Sequence, residues 1–371
     1  MKIGLSLLAF LCILVAVLQF YTLPTEPLWP ASMIAHEIWP WFIVANAIGV
    51  VLAGVAWRPM MFVFVVCLIV SCWPLTQRSR VAEEMQRQWT KQTLAGSPPH
   101  PAGLTDTFRN AFGLYPGDDV VPEVLPLNIH LYRASKNRGS KLQPVLVNIH
   151  GGSWQHGGPT DDSTFSSHFA GRSWTVFSLD YRLAPQWIHP AQIDDVRAAL
   201  RWIHAHAAEY GGDPARIALA GRSAGGHLAL LAAYAGSEFP IRSVVSYYAP
   251  SDLAGGYADP PVPDPLRVRE RLSIFLGGTP AEISDRYRDA SPITYVRAGL
   301  PATFQILGAR DCIVKPRFPQ ALHQRLLEQN NRSLLLEIPW SDHGFDFVYF
   351  GAGNTLALPY VEAFLDATTS G

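Results

Sequence analysis

Cysteine is scarce: the 371 residues include four, and Cys12, Cys67 and Cys72 fall in apolar stretches near the N-terminus. Cys312 is left alone in the more polar remainder, so no disulfide can form within that part. No Cys/His set with metal-ligand spacing exists either. The chain also lacks an excess of one charge: 29 basic residues face 30 acidic ones for a formal net charge of -1. Without a basic stripe or patch, a nucleic-acid binder is excluded. No internal repeat and no low-complexity tract occurs. Three stretches, residues 3–25, 38–57 and 59–77, contain no Asp, Glu, Lys or Arg.

Each charge-free stretch is close to the ~20 residues that cross a bilayer, which predicts three spans and a multi-pass membrane protein. Lys2 ahead of an apolar core also fits a signal peptide, but no small-x-small cleavage site comes before Tyr21-Thr22-Leu23-Pro24. Arg78, Arg80, Arg87 and Lys91 follow the third span and outnumber Lys2 and Arg58 on the opposite side, so the large C-terminal part is expected to be cytoplasmic.

The expected organisation is a membrane anchor over residues 1–77, a linker with a possible cap helix over 78–126, and a large α/β domain over 127–371. A polar helix is predicted for 81–94, broken by Gly96-Ser97-Pro98-Pro99-His100-Pro101. Apolar runs then predict strands at 127–132, 145–149, 174–179, 216–220, 241–248, 302–307 and 334–338. Between them Ile193, Val196, Leu200, Ile203 and Ala207 recur at helical spacing, opened by Pro190, and His204 and His206 on that helix are read as surface or packing residues. A closing helix is expected at 355–365. Strand alternating with helix implies right-handed crossovers and a mostly parallel sheet. Residues 255–265, rich in Pro and Gly, are expected as a loop near the site or part of a cap.

The chain is organised around Gly221-Arg222-Ser223-Ala224-Gly225, which joins the strand at 216–220 to a helix-forming stretch. A sharp strand-to-helix turn lifts a serine hydroxyl clear of the sheet, where a base can reach it. The helix start aims backbone N–H groups and the positive dipole end at the reacting oxygen, with the N–H of Ala224 nearest. After the strand at 145–149 comes His150-Gly151-Gly152-Ser153-Trp154. Here Gly151 and Gly152 are the candidate oxyanion donors, and the amide of Ser153 is a possible substitute. Two later strands end in Gly308-Ala309-Arg310-Asp311 and Ser341-Asp342-His343-Gly344-Phe345. Open α/β sheets place their ligands at such strand ends.

The resulting order is Ser223, Asp311, His343, that of α/β-hydrolases and not of chymotrypsin or subtilisin. In it Ser223 attacks, His343 is the general base, Asp311 fixes the imidazole tautomer, and the amides of Gly151, Gly152 and Ala224 form the oxyanion hole. Other groups compete for these roles. His227 is assigned to packing and His150 to bracing the glycine loop. Asp252 is the chief rival acid and is assigned to capping; Asp342 ranks behind both because it is the sequence neighbour of His343.

His150-Gly151-Gly152-Ser153-Trp154, Asp180-Tyr181-Arg182-Leu183-Ala184-Pro185, Gly221-Arg222-Ser223-Ala224-Gly225-Gly226-His227 and Asp342-His343-Gly344-Phe345 resemble the hormone-sensitive-lipase-type and acetyl-xylan or feruloyl esterase-type branch of the α/β-hydrolases. The resemblance covers roughly residues 127–365. It implies an α/β-hydrolase fold and a carboxylic ester hydrolase acting on small-molecule esters, with no cofactor. Ser153 stands where a third glycine is common and Gln186 where an acidic residue often follows Ala-Pro, and both bear on the acyl pocket. The three spans lie outside the family pattern. An amidase or peptidase on the same three residues, and a non-catalytic binding protein on the same fold, are the alternative readings.

Overall fold

The computed structural model describes residues 2–99, 105–106, 120–134 and 141–370. The expected linker therefore lies partly outside the described residues, at 100–104 and 107–119.

Five helices come first: α1 (Lys2–Leu18), α2 (Trp29–Glu37), α3 (Trp39–Ala56), α4 (Arg58–Ser71) and α5 (Trp73–Lys91). Proline stands in the first turn of α2, α3, α4 and α5. It is tolerated there because a first-turn N–H has no intrahelical acceptor. The same residues set the breaks. The apolar stretch at 59–77 is thus divided: α4 ends at Ser71, the Cys72 N–H closes on Leu68 O at 3.0 Å, and Pro74 opens a new helix. Likewise the stretch at 3–25 is helical only to Leu18, after which the chain turns into α2, with the Leu23 N–H donating to Ser32 Oγ at 2.9 Å. Three spans are expected, and among the described residues two helices, Trp39–Ala56 and the run Arg58–Lys91, are by length and composition long and apolar enough to cross a membrane, while α1, of 17 residues, is shorter. α1, α3 and α4 interlock through Leu5, Ala9, Cys12, Ala53, Phe64 and Cys67. Their outward faces leave Ile3, Leu7, Phe10, Val51, Val55, Phe62 and Ile69 exposed.

The rest is built on one sheet of β1 (Glu123–Leu125), β2 (Ile129–Tyr132), β3 (Gln143–Ile149), β4 (Thr175–Leu179), β5 (Gly212–Arg222), β6 (Ile241–Tyr247), β7 (Ala302–Gly308) and β8 (Ser333–Ile338). The spatial order is β1-β2-β4-β3-β5-β6-β7-β8. β2 runs antiparallel to β1 and β4, and every other pairing is parallel. The strand expected at 127–132 is present as β2 from Ile129, and β1 pairs with it in a hairpin that was not expected, because β1 has only three residues and leaves no periodic signal.

The central strands read as continuous apolar runs because both faces are covered. Successive side chains point to opposite faces: Ile217 and Leu219 enter one core, Ala218 and Ala220 the other. The first core is closed by α7 (Ala191–His206) and α8 (Ala224–Tyr234), the second by α6 (Ser163–Gly171) and α13 (Ala352–Thr369). Every residue of α8 is buried, so truncating a leucine such as Leu228 to Ala would cost about 2–5 kcal/mol.

Between β6 and β7 lie α9 (Leu253–Ala258), α10 (Val268–Leu276) and α11 (Ser284–Asp289), with α12 (Arg317–Glu328) before β8. The stretch expected as irregular at 255–265 is helical in its first turn, where Asp252 caps α9. α5 is no free tether: Val81, Met85 and Trp89 enter the second core. Gln88 of α5 accepts from the Leu335 N–H at 2.8 Å and donates to Leu335 O at 3.1 Å, taking the place of a neighbouring strand along β8.

Candidate active site

Ser223 stands where β5 passes into α8. Its φ of 51° and ψ of -118° fall where non-glycine residues are rarely found, a strain the surrounding contacts must hold. The turn is clamped by the Ser223 N–H donating to Tyr247 O at 2.9 Å. A Cβ on Gly225 would lie 2.0 Å from Ile149 O, so only glycine lets α8 begin this close to β3.

His343 Nε2 lies 3.0 Å from Ser223 Oγ, and His343 Nδ1 lies 2.8 Å from Asp311 Oδ2. Because a carboxylate only accepts, Nδ1 carries the proton and Nε2 is left to accept from the serine hydroxyl. Asp311 is buried and aimed by its own loop: Oδ1 accepts from the N–H groups of Ile313 at 2.8 Å and Val314 at 2.7 Å. Asp342 does not reach the ring. Its Oδ1 accepts from the N–H groups of His343 at 2.7 Å and Cys312 at 3.0 Å, tying the two loops together. Burial, reinforced by Asp311, lifts its carboxyl to about 6. Asp252 Oδ1 accepts from the Gly255 N–H at 2.8 Å, a helix cap, and makes no contact with His343.

The glycine loop packs directly on the serine turn. A Cβ on Gly151 would lie 3.1 Å from Arg222 O and 3.6 Å from Ser223 Cβ. Gly152 has φ of 109°, and a Cβ there would meet His156 O at 2.0 Å. His150 braces the loop: Nδ1 donates to Gly151 O at 2.8 Å, and its ring stacks on Tyr181 at 4.2 Å. The Tyr181 hydroxyl donates to His150 O at 3.0 Å. Trp154 donates from Nε1 to His227 Nδ1 at 3.2 Å, and His227 Nε2 donates to Ala290 O at 2.7 Å. Burial drives His227 down to about 3, so it stays neutral and serves as a fixed strut. Ala224, the third expected oxyanion donor, is the first residue of α8, next to the serine.

Ser223 opens into a cavity of about 580 Å³ of empty space, mouth included, walled largely by apolar side chains such as Leu253, Leu266, Leu272, Ile313 and Phe318. Ser153 lines it, while Gln186 is exposed at the surface. Among the described residues no group of three or more His, Cys, Asp or Glu could hold a metal ion.

Several residues at the site escape the sequence reading. Arg222 donates from Nε to Asp346, three residues after His343, and lies 3.4 Å from Asp162. The Tyr248 hydroxyl also donates to Asp346, and its ring packs 4.5 Å from the His343 ring. More unexpected are contacts from the N-terminal part. Trp29 of α2 has its ring 6.4 Å from that of His343. Glu37 Oε1 lies 2.6 Å from Ser341 Oγ, and its Oε2 accepts from the Gly353 N–H at 2.6 Å. Burial raises the Glu37 carboxyl to about 8. One signal was present: Glu37 is an acid abutting a charge-free stretch.

A mostly parallel sheet with β2 reversed, helices on both faces and a serine turn after the fifth strand define an α/β-hydrolase. More narrowly, the chain belongs to the BD-FAE family, whose model matches residues 129–326. It is 32% identical over 228 residues to "Esterase LipC" of Mycobacterium tuberculosis, covering 57% of this chain and 56% of that protein. It is 53% identical over 91 residues to "Carboxylesterase NlhH" of the same species, covering 24% of this chain and 28% of that one. The chain spans about half the length of the first curated relatives it matches, 56% and 50%. Among solved structures it is similar to Thermogutta terrifontis esterase 2 phosphonylated by sarin, with a TM-score of 0.55 and 25% identity, covering 67% of this chain and 94% of that one.

Proposed function

We propose that the chain is a membrane-anchored serine carboxylic ester hydrolase working through Ser223, His343 and Asp311 and an acyl-enzyme. The observation that carries this reading is the line of contacts Ser223 Oγ, His343 Nε2, His343 Nδ1, Asp311 Oδ2 at 3.0 and 2.8 Å. His343 takes the hydroxyl proton as Ser223 Oγ attacks the ester carbonyl carbon. The carbonyl oxygen becomes an oxyanion facing the amides of Gly151, Gly152 and Ala224. Collapse breaks the carbon–oxygen bond, and His343 returns its proton to the departing alcohol. Water, deprotonated by the same histidine, then releases the acid and regenerates the hydroxyl. Asp311 holds Nδ1–H throughout and stabilises the imidazolium. The apolar cavity suits an acyl chain.

In this reading residues 1–77 are the anchor, 78–126 join it to the body, and 127–371 are the hydrolase domain. The interlocked α1, α3 and α4 expose isoleucine, valine and phenylalanine on their outer faces, which suits lipid and not water. Basic residues after α4 favour a cytoplasmic hydrolase domain.

The test is to embed the full chain in lipid vesicles and assay it against aryl esters and the matching anilides, alongside labelling by an organophosphonate. The esters are expected to be cleaved and the anilides not, with labelling lost in Ser223→Ala. Undiminished labelling of that variant, or faster anilide than ester cleavage, would overturn the reading.

A further inference from the structure

We propose that α2 is a working part of the active site, with Glu37 as a positioning residue that holds His343 over Ser223. The proposal rests on the reading of Ser223, His343 and Asp311 as the catalytic set.

Three observations carry it. First, Glu37 is fully used. A buried carboxyl is costly unless both oxygens find partners, and here they meet Ser341 Oγ and the Gly353 N–H, each at 2.6 Å. Its socket is shaped to fit, since a Cβ on Gly353 would lie 2.8 Å from Glu37 Oε2 and one on Gly351 would lie 2.9 Å from Glu37 Cβ. Second, the group it grips is two residues from His343 and is tied to the acid loop. Ser341 O accepts from the Arg310 N–H at 3.1 Å, so the turn that Glu37 fixes also holds the residue before Asp311. Third, α2 meets the histidine and the acid loop of the catalytic line. Trp29 packs near the His343 ring, and the same indole and Met33 share an apolar cluster with Ile313 and Val314. The amides of those two residues are the ones that aim Asp311.

The chain leading into α2 adds weaker ties in the same direction. The Thr22 hydroxyl lies 3.4 Å from Asp342 Oδ2, the Phe20 ring lies 5.7 Å from the Arg310 guanidinium, and Glu26 pairs with Arg271 at the cavity wall at 3.0 Å. Small displacements of a base from its nucleophile cost rate steeply, on the order of 10²-fold for about 1 Å. The Ser341 hydroxyl donates to Glu37 Oε1 and the Gly353 N–H donates to Oε2. A glutamine can keep both contacts, Oε1 accepting from the Gly353 N–H and Nε2 donating to Ser341 Oγ, and alanine can make neither.

The experiment compares wild type, Glu37→Ala, Glu37→Gln and Ser341→Ala as full chains in vesicles, well below their thermal midpoints. It reads kcat and KM for a short aryl ester and the rate of phosphonate labelling. Glu37→Ala and Ser341→Ala should lower kcat and labelling about tenfold or more with KM within about twofold, and Glu37→Gln should stay within about threefold of wild type. A folded Glu37→Ala with wild-type kcat overturns the proposal, as does a Glu37→Gln no better than the alanine variant. Should Glu37→Ala fail to fold, Ser341→Ala alone decides, with unchanged kcat overturning the proposal. A wild type that neither cleaves nor labels overturns the esterase reading instead, and this proposal with it.

Discussion

Arg222, the residue before Ser223, and Asp346, three residues after His343, form a buried ion pair that joins the serine turn to the histidine loop. Asp162 stands 3.4 Å from the same guanidinium, and the cation lies 4.2 Å over the Phe165 ring. Removing the cation leaves two buried carboxylates facing each other. Arg222→Met should therefore destabilise the chain by about 3–5 kcal/mol, read as a lowered midpoint in denaturant. A change below about 1 kcal/mol would mean the carboxylates protonate or hydrate at no cost.

Asp311 and Asp252 separate cleanly. Asp311→Asn keeps the shape but offers the wrong tautomer partner to Nδ1, and should lower kcat by a factor on the order of 10⁴. Asp252→Asn removes only part of a cap, and kcat should stay within about tenfold. Losses in the reverse order would make Asp252 the acid.

Glu37 predicts a pH dependence of stability. Its carboxyl is pushed up from the ordinary 4.5 to about 8 in the fold, through burial first and then the nearby carboxylates Asp346 and Asp342. Between those values the folded chain keeps a proton that the unfolded chain releases. Stability from this group is thus full below about 4.5 and is lost as pH rises towards 8, by up to about 1.4 kcal/mol per pH unit. Thermal midpoints of wild type and Glu37→Gln should converge at low pH and diverge by pH 8, with wild type the lower. Parallel curves would mean that Glu37 is ionised in the fold.

Membrane sidedness is checked by protease protection. In intact cells the hydrolase domain should resist protease added outside and be digested once the membrane is opened. Digestion from the outside would reverse the orientation drawn from Arg78, Arg80, Arg87 and Lys91.

The parallel strands were legible because a strand buried on both faces must be apolar throughout, as Val145, Leu146 and Val147 are. Strand counting could place Asp311 and His343 because each lies just past a strand end, and the fold sets both in one line with Ser223. What sequence could not carry is contact across long separations. Glu37 and Ser341 are 304 residues apart, and no local pattern links them. Trp29 lies between two charge-free stretches, and hydropathy reports how apolar a segment is and not what it touches. Arg222 sat at a position any residue can fill in the motif, and its partner Asp346 was hidden in the same way.

α5 covers the β8 margin of the sheet, where Gln88 takes up the N–H and C=O of Leu335. Cutting the chain after Lys91 would bare that margin as a template for a second molecule. A shortened protein made for solubility would thus gain a sticky flank even as it lost its greasy helices, and would associate strand to strand through β8.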